Sequence, residues 1–186
     1  MFGGTSKETQ NEKTIFDPKS PYAASKVYAH SITKIYRDAY KIFASNGILF
    51  NHESPLRGET FVTKKIIKAL TLIKLGRQKT LYLGNIYSKR DWGHAKDYVE
   101  AMWKILNHKT PDDFVISTNK QITVKKFIEI ASKKLDMKLK WKGKGINEKA
   151  YDSKGKMVIK IIPRYFRPLE VDNLKGNFSK AKKLLN

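Results

Sequence analysis

The heptapeptide Ser20-Pro21-Tyr22-Ala23-Ala24-Ser25-Lys26 opens a long helical pattern, and the interpretation of the whole chain depends on it. Ser20 can cap a helix, and Pro21 is tolerated at the first helical position. Apolar residues then recur at helical spacing, at Val27, Ile32, Ile35, Tyr36, Ala39, Tyr40 and Phe43. The pattern predicts a helix from about residue 20 to about residue 44, ended by Ser45-Asn46-Gly47.

Tyr22 and Lys26 are four residues apart, so a helix places them one turn apart on the same face. A lysine ammonium close to a phenol favours the phenolate and lowers the pKa of the tyrosine, which makes it a proton acceptor near neutral pH. The small side chains of Ala23, Ala24 and Ser25 leave room for a bulky ligand. The ordinary alternative is a surface pair without chemistry, because a tyrosine and a lysine four apart are common on helices.

The segment after this helix indicates an α/β sheet with a binding edge. Ile48-Leu49-Phe50 is a short apolar run typical of a buried parallel strand, and a helix followed by such a strand is a unit of an α/β fold. A polar cluster, residues 51–62, follows directly, and ligands bind at the carboxyl ends of strands in open α/β sheets. For His52, a surface-loop histidine without function is the alternative, since no other histidine stands at metal-ligand spacing.

The remaining sequence continues the alternation of helices and strands. We expect helices over residues 63–75, 95–106, 124–135 and 179–185, strands over 81–84, 114–117, 139–141 and 158–162, and loops over 1–19 and 142–156. Thr123 is expected to cap the third of these helices. The second is expected to bury Val99, Met102, Trp103 and Leu106, or near neighbours of these.

The net charge of +21 raises the possibility of a nucleic-acid-binding protein. Only six of the 38 basic residues are arginine, the residue that bidentate phosphate and base recognition favours. The lysines are spread along the whole chain and are not gathered into one basic arm. We therefore interpret the charge as a solvated lysine-rich surface that could attract an anionic substrate, and keep a basic nucleic-acid binder as the alternative.

Composition also limits the cellular setting. Cysteine is absent, which excludes disulfides and thiolate metal sites, and we expect no bound metal. No apolar run approaches the roughly 18–20 residues that a membrane span needs, and the first residues lack the basic and apolar regions of a secretory signal. We expect a soluble cytoplasmic protein without a membrane partner.

Five segments share a pattern with one enzyme family, and they occur in order at residues 20–26, 51–62, 83–85, 90–98 and 163–172. They include Arg90-Asp91-Trp92-Gly93-His94 and Pro163-Arg164-Tyr165-Phe166-Arg167-Pro168. The chain resembles the GDP-mannose 4,6-dehydratases, which are extended short-chain dehydrogenase/reductases. The resemblance implies an α/β fold with an incomplete Rossmann-like doubly wound sheet, the C-terminal half, plus a small α/β substrate-binding domain. Residues 1–60 would be a remnant of the NADP-binding domain, and residues 61–186 would bind the GDP-sugar, with some segments returning to the Rossmann sheet.

The resemblance also implies a reaction, the dehydration of GDP-mannose to GDP-4-keto-6-deoxymannose through transient hydride transfer to NADP. Tyr22 would act as the base on the sugar 4-hydroxyl, and Lys26 would lower the pKa of Tyr22 and hold the nicotinamide ribose. His52 and Arg57 match positions that contact the dinucleotide. The positions that match the GDP-mannose site are Asn51, Val62, Lys65, Arg90, Arg167 and Glu170.

The sequence departs from the family pattern in two respects. It has no glycine-rich turn of the G-x-G-x-x-G type, which seats the dinucleotide pyrophosphate. The Ser/Thr and Glu acid–base pair of the family would fall just before Met1, and neither Glu8 nor Glu12 is expected to replace it. We therefore expect a C-terminal part of the enzyme that is inactive alone, with a separate N-terminal half or a homo-oligomer as possible partner. The rival interpretation is a non-catalytic nucleotide-sugar-binding or regulatory protein, or a decayed gene product.

Overall fold

A computed structural model describes residues 1–4, 9–166, 169 and 171–185. Within these ranges the helices are α1 (Pro21–Tyr40), α2 (Val62–Lys74), α3 (Ala95–Leu106), α4 (Val124–Lys134) and α5 (Ser179–Leu185), with 3-10 turns at Gly145–Asn147 and Pro163–Tyr165. The strands are β1 (Asn46–Leu49), β2 (Asn51–Glu53), β3 (Leu81–Leu83), β4 (Lys89–Arg90), β5 (Trp92–His94), β6 (Asp113–Ile116), β7 (Ile122–Thr123), β8 (Lys140–Lys142), β9 (Lys149–Tyr151) and β10 (Met157–Ile161). The expected α/β class is confirmed. None of the described helices has the length and apolar content needed to cross a membrane.

The chain divides into two compact units. Unit 1 comprises Met1–Ser54, Lys89–Gln121 and Val171–Asn186, and unit 2 comprises Pro55–Ser88 and Ile122–Glu170. Both units are therefore built from segments that are distant in sequence.

Unit 1 contains short parallel strand pairs with apolar residues on both sides. β1 pairs in parallel with β6, and β2 pairs in parallel with β5. One side buries a cluster of Phe2, Ile48, Phe50 and Val115, and the other buries Tyr98, Ile105, Phe114, Ile116 and Ala181. Neighbouring residues of β6 thus point to opposite faces, as strand geometry requires. The prediction of a buried parallel strand around Ile48 is confirmed.

Helix α1 begins where the sequence predicts and ends earlier. The Ser20 side chain accepts a hydrogen bond from the Ala23 backbone N–H at 3.1 Å, which is the expected cap. The helix stops at Tyr40 because Lys41 adopts the left-handed conformation with φ of 56°. The predicted extension to residue 44 is wrong. Asn46, read as part of a stop signal, instead begins β1.

Polar contacts tie α1 to β6. Arg37 Nη1 donates to Asp113 Oδ1 at 2.9 Å, and Asn46 Nδ2 donates to the same oxygen at 2.9 Å. His30 Nε2 lies 3.3 Å from the other oxygen of this carboxylate. Burial opposes ionisation of Asp113, but the hydrogen bonds from Arg37 and Asn46 hold its pKa below the ordinary value.

Helix α3 has the predicted bounds but a different inward face. Val99, Met102, Trp103 and Leu106, which were expected to be buried, are all exposed. Tyr98 and Ile105 are buried instead, with Ala101 packed beside them. The four named residues are wrong, whereas the buried Tyr98 and Ile105 are the near neighbours that the prediction also allowed. Helix α3 carries large apolar residues on both faces, so only packing against the strands selects the inner one.

Unit 2 is built on a four-stranded sheet with the order β3-β10-β9-β8. β3 and β10 are parallel, whereas β10, β9 and β8 pair antiparallel. Helix α2 packs against β3 and α4, and the Thr123 side chain caps α4 by accepting from the Lys126 backbone N–H at 3.0 Å. The loop predicted over residues 142–156 is wrong in part, since it contains a 3-10 turn and β9. Residues 149–151 become a strand through cross-strand pairing, which local sequence does not reveal.

Candidate functional site

The predicted catalytic pair lies at the start of α1 in unit 1. Tyr22 is 71% exposed, and the Lys26 Nζ atom lies 5.4 Å from the centroid of the Tyr22 ring. Ser25 Oγ donates to the Tyr22 carbonyl oxygen at 2.8 Å, within the same first turns. The structure therefore places both side chains together on an accessible helix surface, as their spacing requires. Their part in proton transfer stays a prediction.

His52 and Asn51 lie on β2, in the polar cluster that follows β1. His52 Nδ1 lies 2.9 Å from the Phe50 carbonyl oxygen, and its ring centroid lies 4.7 Å from that of Tyr98. A carbonyl oxygen only accepts, so Nδ1 carries the proton and a neutral His52 presents the lone pair of Nε2. His52 is therefore a packed, oriented histidine of a strand and not a surface-loop residue. Its contact with a dinucleotide stays a prediction.

Tyr98, beneath His52, is a residue that sequence reasoning did not single out. It is 2% exposed, and within the described part of the chain its hydroxyl has no hydrogen-bond partner. Burial raises its pKa above the ordinary value, and the nearby carboxylates of Asp91 and Asp97 raise it further. A side chain at Gly93 would collide with the Tyr98 ring, so the glycine permits the ring to lie against the strand. The family-like segment at residues 90–98 includes both Gly93 and Tyr98, but the sequence did not reveal that the Tyr98 ring packs against Gly93.

Arg90 and Asp91 have different surroundings although they are neighbours. Arg90 Nη1 donates to the Val171 carbonyl oxygen at 2.6 Å, which fixes the guanidinium beside the returning C-terminal segment. Asp91 is fully buried and accepts hydrogen bonds from Thr118 N at 2.9 Å, Thr118 Oγ1 at 2.6 Å and Gly176 N at 3.2 Å. The buried Asp91 carboxylate thus joins three segments of unit 1, a structural role that the sequence did not indicate.

The predicted site residues of unit 2 lie near aromatic rings. The Arg57 guanidinium carbon lies 3.5 Å from the Phe61 ring centroid, and the Lys65 Nζ atom lies 4.2 Å from that of Tyr165. Val62 is the first residue of α2, and Lys65 follows one turn later. Arg57 and Lys65 each carry a positive charge on an aromatic ring face, and cations of this kind suit an anionic ligand.

A surface cavity of about 290 Å³ adjoins Lys65 within unit 2. Its lining includes Glu59, Lys65, Lys68, Tyr82 and Tyr165. The Tyr165 segment can approach so closely because Gly84 lacks a side chain, which would otherwise strike the Tyr165 carbonyl. The structure thus brings together two segments that the sequence associated with sugar-nucleotide binding, residues 62–65 and 163–166.

The remaining candidates can be placed only in part. Arg167 and Glu170 lie outside the described residues, as does Glu8. The Glu12 carboxylate accepts a hydrogen bond from the Val115 backbone N–H at 2.8 Å, so it joins the N-terminal segment to β6.

Comparisons with known proteins identify the family. The family model described as GDP-mannose 4,6 dehydratase matches residues 1–186. GDP-mannose 4,6 dehydratase 2 of Caenorhabditis elegans is 50% identical over 185 residues, which cover 100% of this chain and 48% of that protein. The Dictyostelium discoideum GDP-mannose 4,6 dehydratase is 52% identical over 186 residues, covering 100% and 52% respectively. The chain therefore spans about half the length of these curated relatives.

Solved structures agree with the fold. DesIV, a dTDP-glucose 4,6-dehydratase from Streptomyces venezuelae with NAD and TYD bound, superposes with a TM-score of 0.78 at 18% identity, over 98% of this chain and 50% of that one. RMD from Pseudomonas aeruginosa, complexed with NADPH, superposes with a TM-score of 0.75 at 18% identity, over 95% and 53%. The expected fold, an incomplete Rossmann-like α/β architecture, is confirmed. With a family model that matches every residue of the sequence, the chain belongs to the GDP-mannose 4,6-dehydratase family.

Proposed function

We propose that this chain supplies the Tyr-Lys pair and the sugar-nucleotide-binding residues of a GDP-mannose 4,6-dehydratase, a lyase. The reaction converts GDP-mannose to GDP-4-keto-6-deoxymannose and water. The observation that carries the proposal is the placement of Tyr22 and Lys26 on one accessible face of α1, within a chain whose whole length matches the family. A cytoplasmic location accompanies this proposal as a prediction.

Tyr22 is proposed as the base that takes the proton of the sugar 4-hydroxyl. Its phenol is exposed enough to receive a substrate hydroxyl, and the Lys26 Nζ atom lies 5.4 Å from the centroid of its ring. A nicotinamide dinucleotide, proposed as NADP, accepts and returns the hydride when bound. Two structural neighbours carry NADPH or NAD, which supports this class of cofactor.

The residues present fit only one end of such a dinucleotide. Lys26 and the Nε2 acceptor of His52 suit hydroxyl groups of the nicotinamide ribose, and Arg57 suits an anionic group. The sequence has no glycine-rich turn to seat the pyrophosphate. We propose that a separate N-terminal half supplies that seat and the family's acid–base pair.

GDP-mannose is the proposed substrate. Its proposed contacts are Asn51, Val62, Lys65, Arg90, Arg167 and Glu170. Arginine and lysine suit the diphosphate, and a carboxylate suits ribose or base donors. A non-catalytic nucleotide-sugar-binding protein would use the same residues without Tyr22.

The test combines this chain with the N-terminal half of the Dictyostelium discoideum relative and measures formation of the 4-keto product. We expect no turnover by the chain alone, turnover by the combination, and loss of about 10²–10⁴-fold with Tyr22→Phe, the range for a general acid–base residue. Tyr28→Phe is the matched control, because Tyr28 is also an exposed tyrosine of α1. Full turnover by Tyr22→Phe would refute the assignment of the base. GDP-mannose binding without turnover in the combination would favour the non-catalytic binder.

A further inference from the structure

One face of the unit 2 sheet carries an aligned row of lysines. Lys142 on β8 is paired with Lys149 on β9, and Lys149 is paired with Lys160 on β10. Lys160 is in turn paired with Tyr82 on β3, so the row crosses all four strands. The adjacent residue Ala150 is buried on the opposite face, as alternation along a strand requires.

A second, shorter row lies beside the first. Lys140 is paired with Tyr151, and the Lys142 Nζ atom lies 5.3 Å from the Tyr151 ring centroid. Tyr82 is 43% exposed at the other edge of the sheet. We call this surface the lysine face and define it by Lys140, Lys142, Lys149, Tyr151, Lys160 and Tyr82.

The charge of the lysine face is not balanced within the described structure. None of its four lysines forms an ion pair with a described carboxylate, whereas other lysines of the unit do. Lys68 lies 2.6 Å from Glu59, and Lys125 lies 2.6 Å from the buried Glu148. Like charges directly opposite each other on neighbouring strands are destabilising. A general excess of lysine explains how many lysines the chain has, but not this alignment.

We propose that the lysine face binds the backbone of a single-stranded nucleic acid. Strands lie about 4.8 Å apart, so the three aligned ammonium groups extend over roughly 10 Å and follow a short run of phosphates. Tyr82 lies at the end of the lysine row and Tyr151 lies in the row beside it, and both offer rings on which bases stack. Lysine is a point charge without the fork of arginine, so binding is blind to sequence. This inference does not depend on the proposed enzymatic function.

The test measures fluorescence anisotropy of a labelled oligothymidylate of about 20 nucleotides with the full chain, over a series of salt concentrations. The triple variant Lys142→Gln, Lys149→Gln, Lys160→Gln removes the aligned row. The matched control, Lys133→Gln, Lys134→Gln, Lys183→Gln, removes the same charge from exposed helix positions. We expect at least about tenfold weaker binding at low salt for the row variant, with a salt slope smaller by about 2, since each phosphate contact on a single strand contributes about 0.7.

The outcomes distinguish binding at the lysine face from binding that depends only on the overall positive charge of the chain. Equal weakening by the row variant and the control, or the absence of binding by the parent chain, overturns the proposal. The variant Lys142→Arg, Lys149→Arg, Lys160→Arg keeps the charge and is expected to retain binding within about threefold, which guards against misfolding as the cause of a loss. Tyr82→Ser is expected to weaken binding to the single strand severalfold and to leave binding to a duplex of the same length unchanged. An equal effect on both would show that the face recognises charge alone and would overturn the single-strand assignment.

Discussion

Helices α1 and α2 are both amphipathic in sequence but are held in different ways. In α2 the apolar residues Ile66 and Leu70 are fully buried, and the helix packs against β3 and α4. In α1 no residue is buried, and apolar side chains such as Ile35 and Tyr40 are 56% and 68% exposed. The apolar pattern alone therefore does not reveal whether a helix contributes to the core of its own unit.

The difference places the candidate catalytic pair on the less packed element. Helix α1 is held chiefly by its polar ties to β6, through Arg37 and Asp113, and by its Ser20 cap. Within the described residues, β1 has β6 as its only strand partner. An apolar helix face above an open strand edge is a surface suited to a further layer of structure.

The largest expected effect comes from shortening one apolar side chain in each helix and comparing the losses in the free energy of unfolding. Leu70→Ala in α2 should lower the free energy of unfolding by about 2–5 kcal/mol, because it leaves a cavity at a fully buried position. Ile35→Ala in α1 should change it by less than about 0.5 kcal/mol, because the side chain is mostly exposed. Urea denaturation of both variants gives these values. Comparable losses would mean that the α1 face is buried in solution, and the comparison would fail.

The polar tie of α1 gives the next effect and a dependence on pH. Asp113→Asn should lower the free energy of unfolding by about 1.5–3 kcal/mol at neutral pH, the range for hydrogen bonds to a charged group. The folded-state pKa of Asp113 lies below its unfolded value, so its contribution is present above the unfolded pKa and is lost as the pH falls through the folded one.

The measurement is urea denaturation of the parent chain and of Asp113→Asn at neutral and acidic pH. The gap between the two proteins should narrow as the medium becomes acidic. Asp38→Asn is the control, because Asp38 is an exposed carboxylate 3.7 Å from the same arginine and exposed ion pairs contribute little. A gap that stays constant with pH would show that the Asp113 carboxylate does not hold α1 through its charge.

The sequence correctly predicted those features that depend on residues close together in the chain. The bounds of α3 and α5 were predicted correctly, and the Ser20 and Thr123 caps were identified from short-range hydrogen-bonding patterns. The common face of Tyr22 and Lys26 also follows from helical geometry alone. Periodicity and capping depend on residues within one or two turns, and a single sequence contains that information.

The features that sequence reasoning missed have distant causes. β9 forms because residues 149–151 pair with β8 and β10, although the segment is rich in lysine and lacks an apolar period. The Asp91 carboxylate is buried because Thr118 and Gly176 come to it from elsewhere in the chain. The contact of His52 with Tyr98 likewise joins two segments that are 46 residues apart in sequence. The register of such contacts is fixed by tertiary packing and is not readable from local composition.

The smallest expected effect compares the two caps. Ser20 and Thr123 accept the same kind of backbone hydrogen bond, at 3.1 Å and 3.0 Å, at the starts of α1 and α4. Removing such a cap costs about 0.5–2 kcal/mol of helix stability. Because α4 buries Val124 and Ile128, Thr123→Ala should lower the global free energy of unfolding by about 1 kcal/mol. Ser20→Ala should lower it by less, since an unpacked helix can fray without unfolding the core.

Hydrogen exchange distinguishes local fraying from global loss in the Ser20→Ala variant. We expect faster exchange of the amide of Ala23, which Ser20 caps, and of its neighbours in the first turn, while exchange in β6 stays at the parent rate. Ser31→Ala is the control, because Ser31 lies within α1 and substitution there favours the helix. If Ser20→Ala instead accelerates exchange in β1 and β6 as strongly as in α1, the helix and the strands unfold as one unit. In that case α1 and α2 would differ in how much of their surface is exposed, but not in how stably they are held.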